Sequence, residues 1–258
     1  MNKIKKNDKP LILITNDDGV HSGGLKALIE AIQPFAEITV VAPDKAMSGM
    51  SHAITVNVPL TLTPVQNEAG VAIYKSNGTP VDCVKLALHV LFKSKPDFIL
   101  SGINHGSNSS TNIFYSGTLG GAREGALCGI PSIGFSLLDY EADADFSTSI
   151  KYCRQIFRFI LENGMSQNSL YNVNIPKITD IKGIKICRQA KGLWVEEYDK
   201  YISPHGISHY YLKGKFVNEE PEATDTDEWA LNNGFVSLTP CSLDSTCYKT
   251  LGELGIIN

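Results

Sequence analysis

The feature of the sequence that most limits its fold is a short apolar run that ends in an acidic turn and leads into a helix. Residues 11–14 are strand-forming, and residues 16–19, Asn-Asp-Asp-Gly, are typical of a turn. Apolar residues at helical spacing follow, at Leu25, Leu28, Ile29 and Ile32. Residues 37–42 read as a second apolar strand, closed by Pro43. A strand, a helix and a strand in this order indicate a βαβ unit with parallel strands.

The rest of the chain extends this pattern and then changes character. Further strands are predicted at residues 96–100, 131–137, 171–176 and 235–240, and helices over 80–91, 115–128 and 147–161. Alternating residues predict a hairpin of strands 53–62 and 71–75 around a tip at 67–70. We expect a three-layer α/β core with a mostly parallel sheet over residues 1–185. Interleaved aromatic and polar residues predict a C-terminal β-hairpin extension over 186–258, with a late strand that returns to the core. The pattern fits a lid, a subunit contact for oligomerisation or a plain surface hairpin equally well.

Composition and charge argue against several classes of function. The formal net charge of -4 argues against a duplex nucleic acid partner, whose phosphates call for a basic face. The apolar run after the basic N-terminus is too short for a signal peptide or a membrane span. The six cysteines include no Cys-x-x-Cys pair, and we interpret them as reduced thiols of a cytoplasmic protein without a membrane partner. The acidic run at residues 219–228 is expected to cap a short helix and to form a solvated face.

Two adjacent carboxylates, Asp17 and Asp18, stand in the first turn. In open α/β sheets, ligands bind outside the carboxyl ends of the strands, where this turn would lie. Like charges side by side repel each other, and a hard divalent cation such as Mg²⁺ or Mn²⁺ would relieve that repulsion. A competing interpretation is that the segment is only a good turn whose carboxylates cap the next helix.

Two more polar loops follow predicted strands and should reach the same edge of the sheet. The first loop, residues 44–52, contains Ser48 and Gly49 among small and hydroxyl-bearing residues. The second loop, residues 101–112, contains Asn104 and Asn108 and almost no apolar residue. A loop of this length without structure of its own is uncommon in a compact domain unless it binds a ligand.

A glycine-rich segment, Tyr115-Ser-Gly-Thr-Leu-Gly-Gly-Ala122, is predicted to open a helix. A helix start of this kind offers backbone N–H groups and a positive dipole end to a phosphate, and Ser116 and Thr118 add hydroxyl groups. The glycines are equally well explained by a close-packed helix entry in which a side chain would clash. The segment by itself leaves the two interpretations open.

The loops together supply carboxylate, hydroxyl and amide oxygens, which are ligands that Mg²⁺ or Mn²⁺ accepts. A phosphate ester bound across such a site would have its charge neutralised and a metal-activated water brought within attack distance. No Gly-x-Gly-x-x-Gly segment follows a strand and no Gly-Lys-Ser/Thr loop is present, so dinucleotide and P-loop binding are not supported. Asn16 stands where an aspartyl-phosphate phosphatase would need its nucleophile, which favours attack by water over a phosphoenzyme.

Five segments in this order closely resemble the stationary-phase survival protein SurE family of nucleotidases. They are TNDDGV at 15–20, VVAPDKAMSGMSHAIT at 40–55, NGTPVDCVKLAL at 77–88, SGINHGSN at 101–108 and YSGTLGGAREGAL at 115–127. The resemblance implies a Rossmann-like core and metal-dependent hydrolysis of nucleoside 5′- or 3′-monophosphates, and in some members also of short polyphosphates. It also implies dimers or tetramers, so a homodimer or homotetramer is expected here.

The resemblance also implies roles for individual residues of this chain. One divalent metal ion would be held by Asp17, Asp18, Ser48 and Asn104. Of these, Asp17, Asp18 and Asn104 would be catalytic, and the substrate phosphate would be bound by Asn108, Ser116, Gly117 and Thr118. Many members carry an acidic residue where this chain has Asn112, which is a departure from the charge pattern of the family.

Two other functions would use the same pocket. One is a nucleotide- or metal-sensing module without turnover, and the other is a phosphatase whose main substrate is short-chain polyphosphate. A phosphate-release screen over nucleotides and polyphosphate with Mn²⁺ and Mg²⁺ separates the three functions.

Overall fold

The computed structural model describes residues 9–66 and 70–254. In this part of the chain the strands are β1 Leu11–Thr15, β2 Glu37–Pro43, β3 Thr63–Pro64, β4 Ala72–Ser76, β5 Phe98–His105, β6 Ser132–Leu137, β7 Leu170–Ile175, β8 Ile184–Ile186, β9 Gly192–Val195, β10 Tyr198–Ile202, β11 Ser208–Leu212, β12 Lys215–Asn218 and β13 Val236–Cys241. One sheet has the order β3-β4-β2-β1-β5-β6-β7-β13-β8. Its central pairs, from β4 to β7, are all parallel, which confirms the predicted α/β architecture.

Helices cover both faces of this sheet. They are α1 Gly23–Ile32, α2 Pro80–Leu86, α3 Gly117–Leu127, α4 Ser147–Asn163, α5 Asp227–Asn232 and α6 Tyr248–Leu254. A single π-helical turn, Ala87–Leu91, continues α2, and a 3₁₀ turn, Ser110–Phe114, precedes α3. Four helices begin at a hydroxyl-bearing residue whose side chain accepts a backbone N–H of the first turn, at Ser22, Thr79, Ser116 and Thr226.

The alternation of side chains along β1 explains the two layers of helices. Successive residues of a strand point to opposite faces of the sheet. Ile12 and Ile14 are fully buried in the apolar cluster that includes α1 and α4. Leu13, between them, is fully buried in a second cluster with residues of α2. The carboxyl end of β1 therefore emerges between two covered faces, at the edge where Asp17 and Asp18 lie.

The prediction of a strand over residues 53–62 is wrong. Only Thr63–Pro64 pairs antiparallel with β4, and β4 itself pairs parallel with β2. The apolar residues of this alternating segment do not pack against the core, because Val56 and Val58 are exposed. The segment is held by polar contacts instead, among them the bonds from the N–H and hydroxyl of Thr55 to the carboxylate of Asp82, at 3.0 and 2.6 Å. Of the tip predicted at 67–70, residues 67–69 lie outside the described residues.

Strand β5 runs further than predicted, because it continues through the first part of the polar loop to His105. Its pairing with β6 shifts register between Ser101 and Asn104. Gly102 sits at this irregularity with a φ of +124°, and a Cβ atom there would lie 2.3 Å from the carbonyl oxygen of Phe135. The shift places Asn104 at the end of a strand, where the sequence indicated a loop.

Beyond residue 186 the predicted hairpins are present. Strand β12 pairs antiparallel with β9, and β11 pairs antiparallel with β10. Strand β13 then returns to the central sheet between β7 and β8, as expected of the late strand. Within the described residues, none of the helices combines the length and the apolar character needed to cross a membrane.

Candidate active site at the carboxyl end of the sheet

The acidic turn after β1 is fixed by its own neighbours. The amide nitrogen of Asn16 donates to the carbonyl oxygen of Gly19 at 3.1 Å and to the hydroxyl oxygen of Ser22 at 2.8 Å. The N–H of Met47 donates to the carbonyl oxygen of Asp17 at 2.7 Å. Asp17 is almost completely buried and Asp18 is partly buried. The turn therefore presents two carboxylates at the carboxyl edge of the sheet.

Three separate segments meet at these carboxylates. The hydroxyl of Thr118, at the start of α3, donates to the Asp17 carboxylate and lies 3.4 Å from Oδ1 of Asn104. The backbone N–H of His105 donates to Oδ2 of Asp18 at 3.2 Å. The Asn104 amide nitrogen donates to the carbonyl oxygens of residues 105 and 106 at 3.0 and 2.8 Å, which directs its Oδ1 towards Thr118. The ends of β1 and β5 and the start of α3 thus form one polar site.

The electrostatics of this site call for a cation. Burial, and next the neighbouring charge of Asp18, raise the pKa of Asp17 to about 6. Burial also raises the pKa of Asp18, although the His105 N–H opposes the shift. Residues 9–66 and 70–254 hold no cluster of three or more His, Cys, Asp or Glu suited to a metal ion. An ion at this site must therefore add neutral oxygens to the two carboxylates, and such a donor set fits Mg²⁺ or Mn²⁺.

The loop that carries Ser48 is clamped between the acidic turn and α3. Its Met47 bonds to Asp17, and the N–H and hydroxyl of Ser51 donate to the carbonyl oxygens of Tyr115 and Phe114 at 3.1 and 2.6 Å. Ser48 itself is exposed on the turn. The structure brings this loop to the acidic turn through Met47, and among the described residues the Ser48 side chain forms no hydrogen bond with either carboxylate.

A hydrogen bond between His52 and Glu124 ties the same loop to the middle of α3. Nε2 of His52 lies 2.9 Å from the carboxylate of Glu124, and Nζ of Lys85 lies 2.8 Å from it. Burial would raise the pKa of Glu124, but the hydrogen bonds from Lys85 and His52 hold it below its ordinary value. Sequence analysis did not identify this contact, because nothing in the sequence relates a loop residue to a helix residue far along the chain.

The first turn of α3 packs tightly against both neighbouring loops. A Cβ atom at Gly117 would lie 2.9 Å from Oδ2 of Asp17, and one at Gly120 would lie 2.1 Å from the carbonyl oxygen of Ser51. The hydroxyl of Ser116 accepts the N–H of Leu119 at 3.0 Å. Close packing therefore explains the glycines, and it also brings the positive end of the helix beside Asp17.

Asn108 lies at the same edge of the sheet but over β6 and β7. Its amide nitrogen donates to the hydroxyl of Ser136, and its N–H donates to Oδ1 of Asn174, both at 2.8 Å. Its carbonyl oxygen accepts from the amide nitrogen of Asn172 at 2.8 Å. This residue is buried, and its hydrogen bonds hold it to β6 and β7, with none to Asp17 or Asp18 among the described residues.

Two further carboxylates hold the end of the second polar loop. Sequence analysis had predicted that both lie on a solvated face. Asp227 is buried, and its carboxylate accepts the N–H groups of Ser110 and Ala190 at 2.8 and 2.9 Å. Glu228 accepts the hydroxyl of Ser109. The prediction that residues 219–228 form a solvated face is therefore wrong for Asp227 and Glu228. The sequence carried no signal of this, since acidic residues in the first turn of a helix are ordinary.

Asp227→Ala is expected to lower the free energy of unfolding by about 2 kcal/mol, because each buried N–H left without an acceptor costs about 1–3 kcal/mol. The matched control is Asp225→Ala, which removes an exposed carboxylate paired with Arg188 and should change stability little. Urea denaturation of both variants provides the measurement. Equal stability of the two variants would mean that Asp227 does not hold the loop.

Comparison with known proteins gives consistent matches over nearly the whole chain. The family model described as Survival protein SurE matches residues 12–196. A 5′-nucleotidase SurE from Phocaeicola vulgatus is 48% identical over 249 residues, 96% of this chain and 97% of that protein. Another from Flavobacterium psychrophilum is 49% identical, covering 95% and 96%. The crystal structure of a SurE protein from Aquifex aeolicus superposes with a TM-score of 0.82 at 40% identity, covering 95% and 98%.

Proposed function

This chain belongs to the SurE family, and we propose on that premise that it is a metal-dependent 5′-nucleotidase that releases phosphate from nucleoside monophosphates. The observation that carries the proposal is the meeting of Asp17, Asp18 and Asn104 with Thr118 at the carboxyl edge of the sheet. A buried acidic pair beside a helix start suits an ion and a phosphate together.

We propose that one divalent ion, Mg²⁺ or Mn²⁺, is held by oxygens of Asp17, Asp18, Ser48 and Asn104. When bound, such an ion supplies neutralisation of phosphate charge and activation of water for attack on phosphorus. The Thr118 hydroxyl keeps the Asp17 carboxylate in one orientation. The bonds of the Asn104 amide nitrogen keep its oxygen turned to the same point. These two residues position the donors before any ligand arrives.

We propose that the substrate phosphate is bound by Asn108, Ser116, Gly117 and Thr118. The N-terminal end of α3 carries a partial positive charge that favours an anion. Asp17, Asp18 and Asn104 would then act as the catalytic residues, because a phosphate at the start of α3 would be bound beside the Thr118 hydroxyl that contacts Asp17 and Asn104.

The other two functions considered from the sequence are not favoured. The relatives that align over nearly the full chain carry the name of 5′-nucleotidase, which argues against a sensor without turnover. The same relatives argue against polyphosphate as the main substrate.

We propose that residues 186–258 form the oligomerisation extension of a homodimer or homotetramer, and residues 1–185 the catalytic core. The support is the β10–β11 hairpin, in which every residue of both strands is exposed. An isolated two-stranded hairpin is marginally stable in water, so contact of a second copy with its distal end, around residues 203–207, is expected to stabilise it. All six cysteines are free thiols, and we propose a cytoplasmic location on that ground.

Removal of divalent ions is expected to abolish phosphate release. The purified protein should hydrolyse AMP and GMP with Mn²⁺ or Mg²⁺, lose that activity in excess EDTA, and recover it when the metal is restored. Inorganic phosphate is the quantity to measure, with polyphosphate as the comparison substrate. Undiminished hydrolysis of AMP in EDTA would show that the reaction needs no metal ion.

A further inference from the structure

A pocket of about 380 Å³ lies beside the start of α3, between the 3₁₀ turn and the stem of the β10–β11 hairpin. Its lining includes Asn112, Tyr115, Trp194, Tyr198 and Leu212, and we call it the aromatic pocket. Its volume falls in the range of pockets that bind small molecules, about 300–1,000 Å³. Nothing in the metal site or the phosphate site uses these residues.

The aromatic pocket and the candidate phosphate site are adjacent along the chain, because Tyr115 lines the pocket and Ser116 begins the phosphate site. Tyr115 is followed directly by Ser116, which caps α3, and the next residue, Gly117, abuts Asp17. The Tyr115 N–H donates to the carbonyl oxygen of Asn112 at 3.0 Å, which fixes the turn between the two sites. A ligand whose phosphate lies at the start of α3 therefore has the aromatic pocket as its neighbouring space.

The chemistry of the lining suits a flat ring that also carries hydrogen-bond acceptors. Nε1 of Trp194 donates to Oδ1 of Asn112 at 2.9 Å, so the one polar atom of the indole is satisfied inside the protein. Since an indole N–H can only donate, this bond also fixes which atom of Asn112 is the oxygen. The NH₂ group of Asn112 has no partner among the described residues and is left as a donor.

The aromatic rings themselves are held but not covered. The Trp194 ring packs edge-on against Phe216 with centroids 5.9 Å apart. Tyr115 and Tyr198 are 59% and 62% exposed. Exposed tyrosine rings beside an anchored tryptophan form a stacking surface, which accepts any nucleobase because every base has a π-face.

We propose that the aromatic pocket binds the nucleoside part of the substrate, with the base against Tyr198 and Trp194 and the Asn112 NH₂ group donating to it. This inference rests on the proposed function, because it requires a phosphate at the start of α3. It assigns discrimination between nucleotides and other phosphate esters to the first hairpins of the C-terminal extension, far along the chain from the metal ligands.

Tyr198→Ala tests the proposal, with Tyr201→Ala as its matched control. Both tyrosines lie on β10 and are similarly exposed, but an odd spacing puts them on opposite faces of the hairpin. Phosphate release from AMP is compared with release from ribose 5-phosphate, which has no base. Tyr198→Ala should raise KM for AMP about tenfold with kcat nearly unchanged, since stacking contributes this much per base, and should leave ribose 5-phosphate kinetics as in the wild type. Tyr201→Ala should match the wild type with both substrates.

A binding measurement without metal or turnover supplies a second readout. The chain contains two tryptophans, at positions 194 and 229. Adenosine should quench the tryptophan fluorescence of the wild type, and Trp194→Phe should abolish the response while the signal of Trp229 persists. Quenching that survives in Trp194→Phe would overturn the proposal.

The two proposals fail in different ways. Wild-type protein that releases no phosphate from AMP with either metal would overturn the proposed function, and the aromatic-pocket proposal with it. Wild-type protein that is active on AMP, with Tyr198→Ala indistinguishable from it, would overturn the aromatic-pocket proposal alone.

Discussion

Asp17→Asn is expected to reduce phosphate release from AMP by at least about a hundredfold while the fold is retained. The substitution removes the charge of a metal ligand without changing the side-chain volume. Mutation of residues that only hydrogen-bond to metal ligands already lowers metal affinity or activity about 10–100-fold. The remaining amide oxygen can still accept the Thr118 hydroxyl, so the local packing persists. Initial rates at saturating Mn²⁺ or Mg²⁺ provide the measurement.

The same variant should be more stable than the wild type in EDTA at neutral pH. Folding raises the pKa of Asp17 from 3.8 to about 6, so the folded state disfavours the charged form. The free energy of unfolding of the metal-free wild type should therefore fall as the pH rises from about 4 to 6 and stay low above that range. The difference from Asp17→Asn is on the order of 2–3 kcal/mol, since one pKa unit corresponds to about 1.4 kcal/mol.

Asp180→Asn is the control for Asp17→Asn, because it makes the same charge change at an exposed position. It should leave both activity and the pH dependence of stability as they are in the wild type. Added Mn²⁺ should raise the melting temperature of the wild type and of Asp180→Asn, because a ligand that binds only the folded state stabilises it. An equal rise in Asp17→Asn would remove Asp17 from the set of metal ligands.

Gly24→Ala is expected to destabilise the protein by about 2 kcal/mol or more and to impair activity as well. A Cβ atom at Gly24 would lie 1.9 Å from the carbonyl oxygen of Ile103, which is backbone and cannot rotate away. Overpacking of a core costs about 1–3 kcal/mol, and sometimes more. Because Ile103 precedes Asn104, relief of the clash would displace the end of β5 from the acidic turn.

Gly23→Ala is a matched control on the same helical turn. Its Cβ atom would meet only the ring of Phe146, at 3.4 Å, which is an ordinary contact. The gain in helix propensity from glycine to alanine should offset any small rearrangement. Thermal unfolding of the two variants should separate them clearly, and similar melting temperatures would show that α1 can move away from β5 at little cost.

Local patterns in the sequence were sufficient for most of the fold and for the acidic pair. The apolar run before Asp17 and the spacing from Leu25 to Ile32 report burial on one face, which is a local property. The same reasoning failed at Val56 and Val58, because alternation predicts a strand only if some face is covered. Nothing covers these two side chains in the described structure, and both are exposed.

Contacts between distant segments were beyond the reach of local patterns. Asp227 accepts the N–H of Ser110 across more than a hundred residues of sequence, and no spacing rule connects the two. The bond between Trp194 and Asn112 is of the same kind. Sequence analysis could identify Asn112 as a departure from the charge pattern of the family. Its hydrogen bond with Trp194 is visible only in the folded structure.

The return of β13 into the gap between β7 and β8 has a consequence for biosynthesis. A nascent chain that has reached residue 226 already contains Asp17, Asp18 and Asn104, but it lacks the strand that joins β8 to the sheet and the carboxylate that Ser110 and Ala190 require. Because domains generally fold as units during synthesis, the chain must leave the ribosome as far as β13 before β8 can join the sheet and before Ser110 and Ala190 find their acceptor. A truncated translation product would carry every proposed metal ligand and still be incompetent.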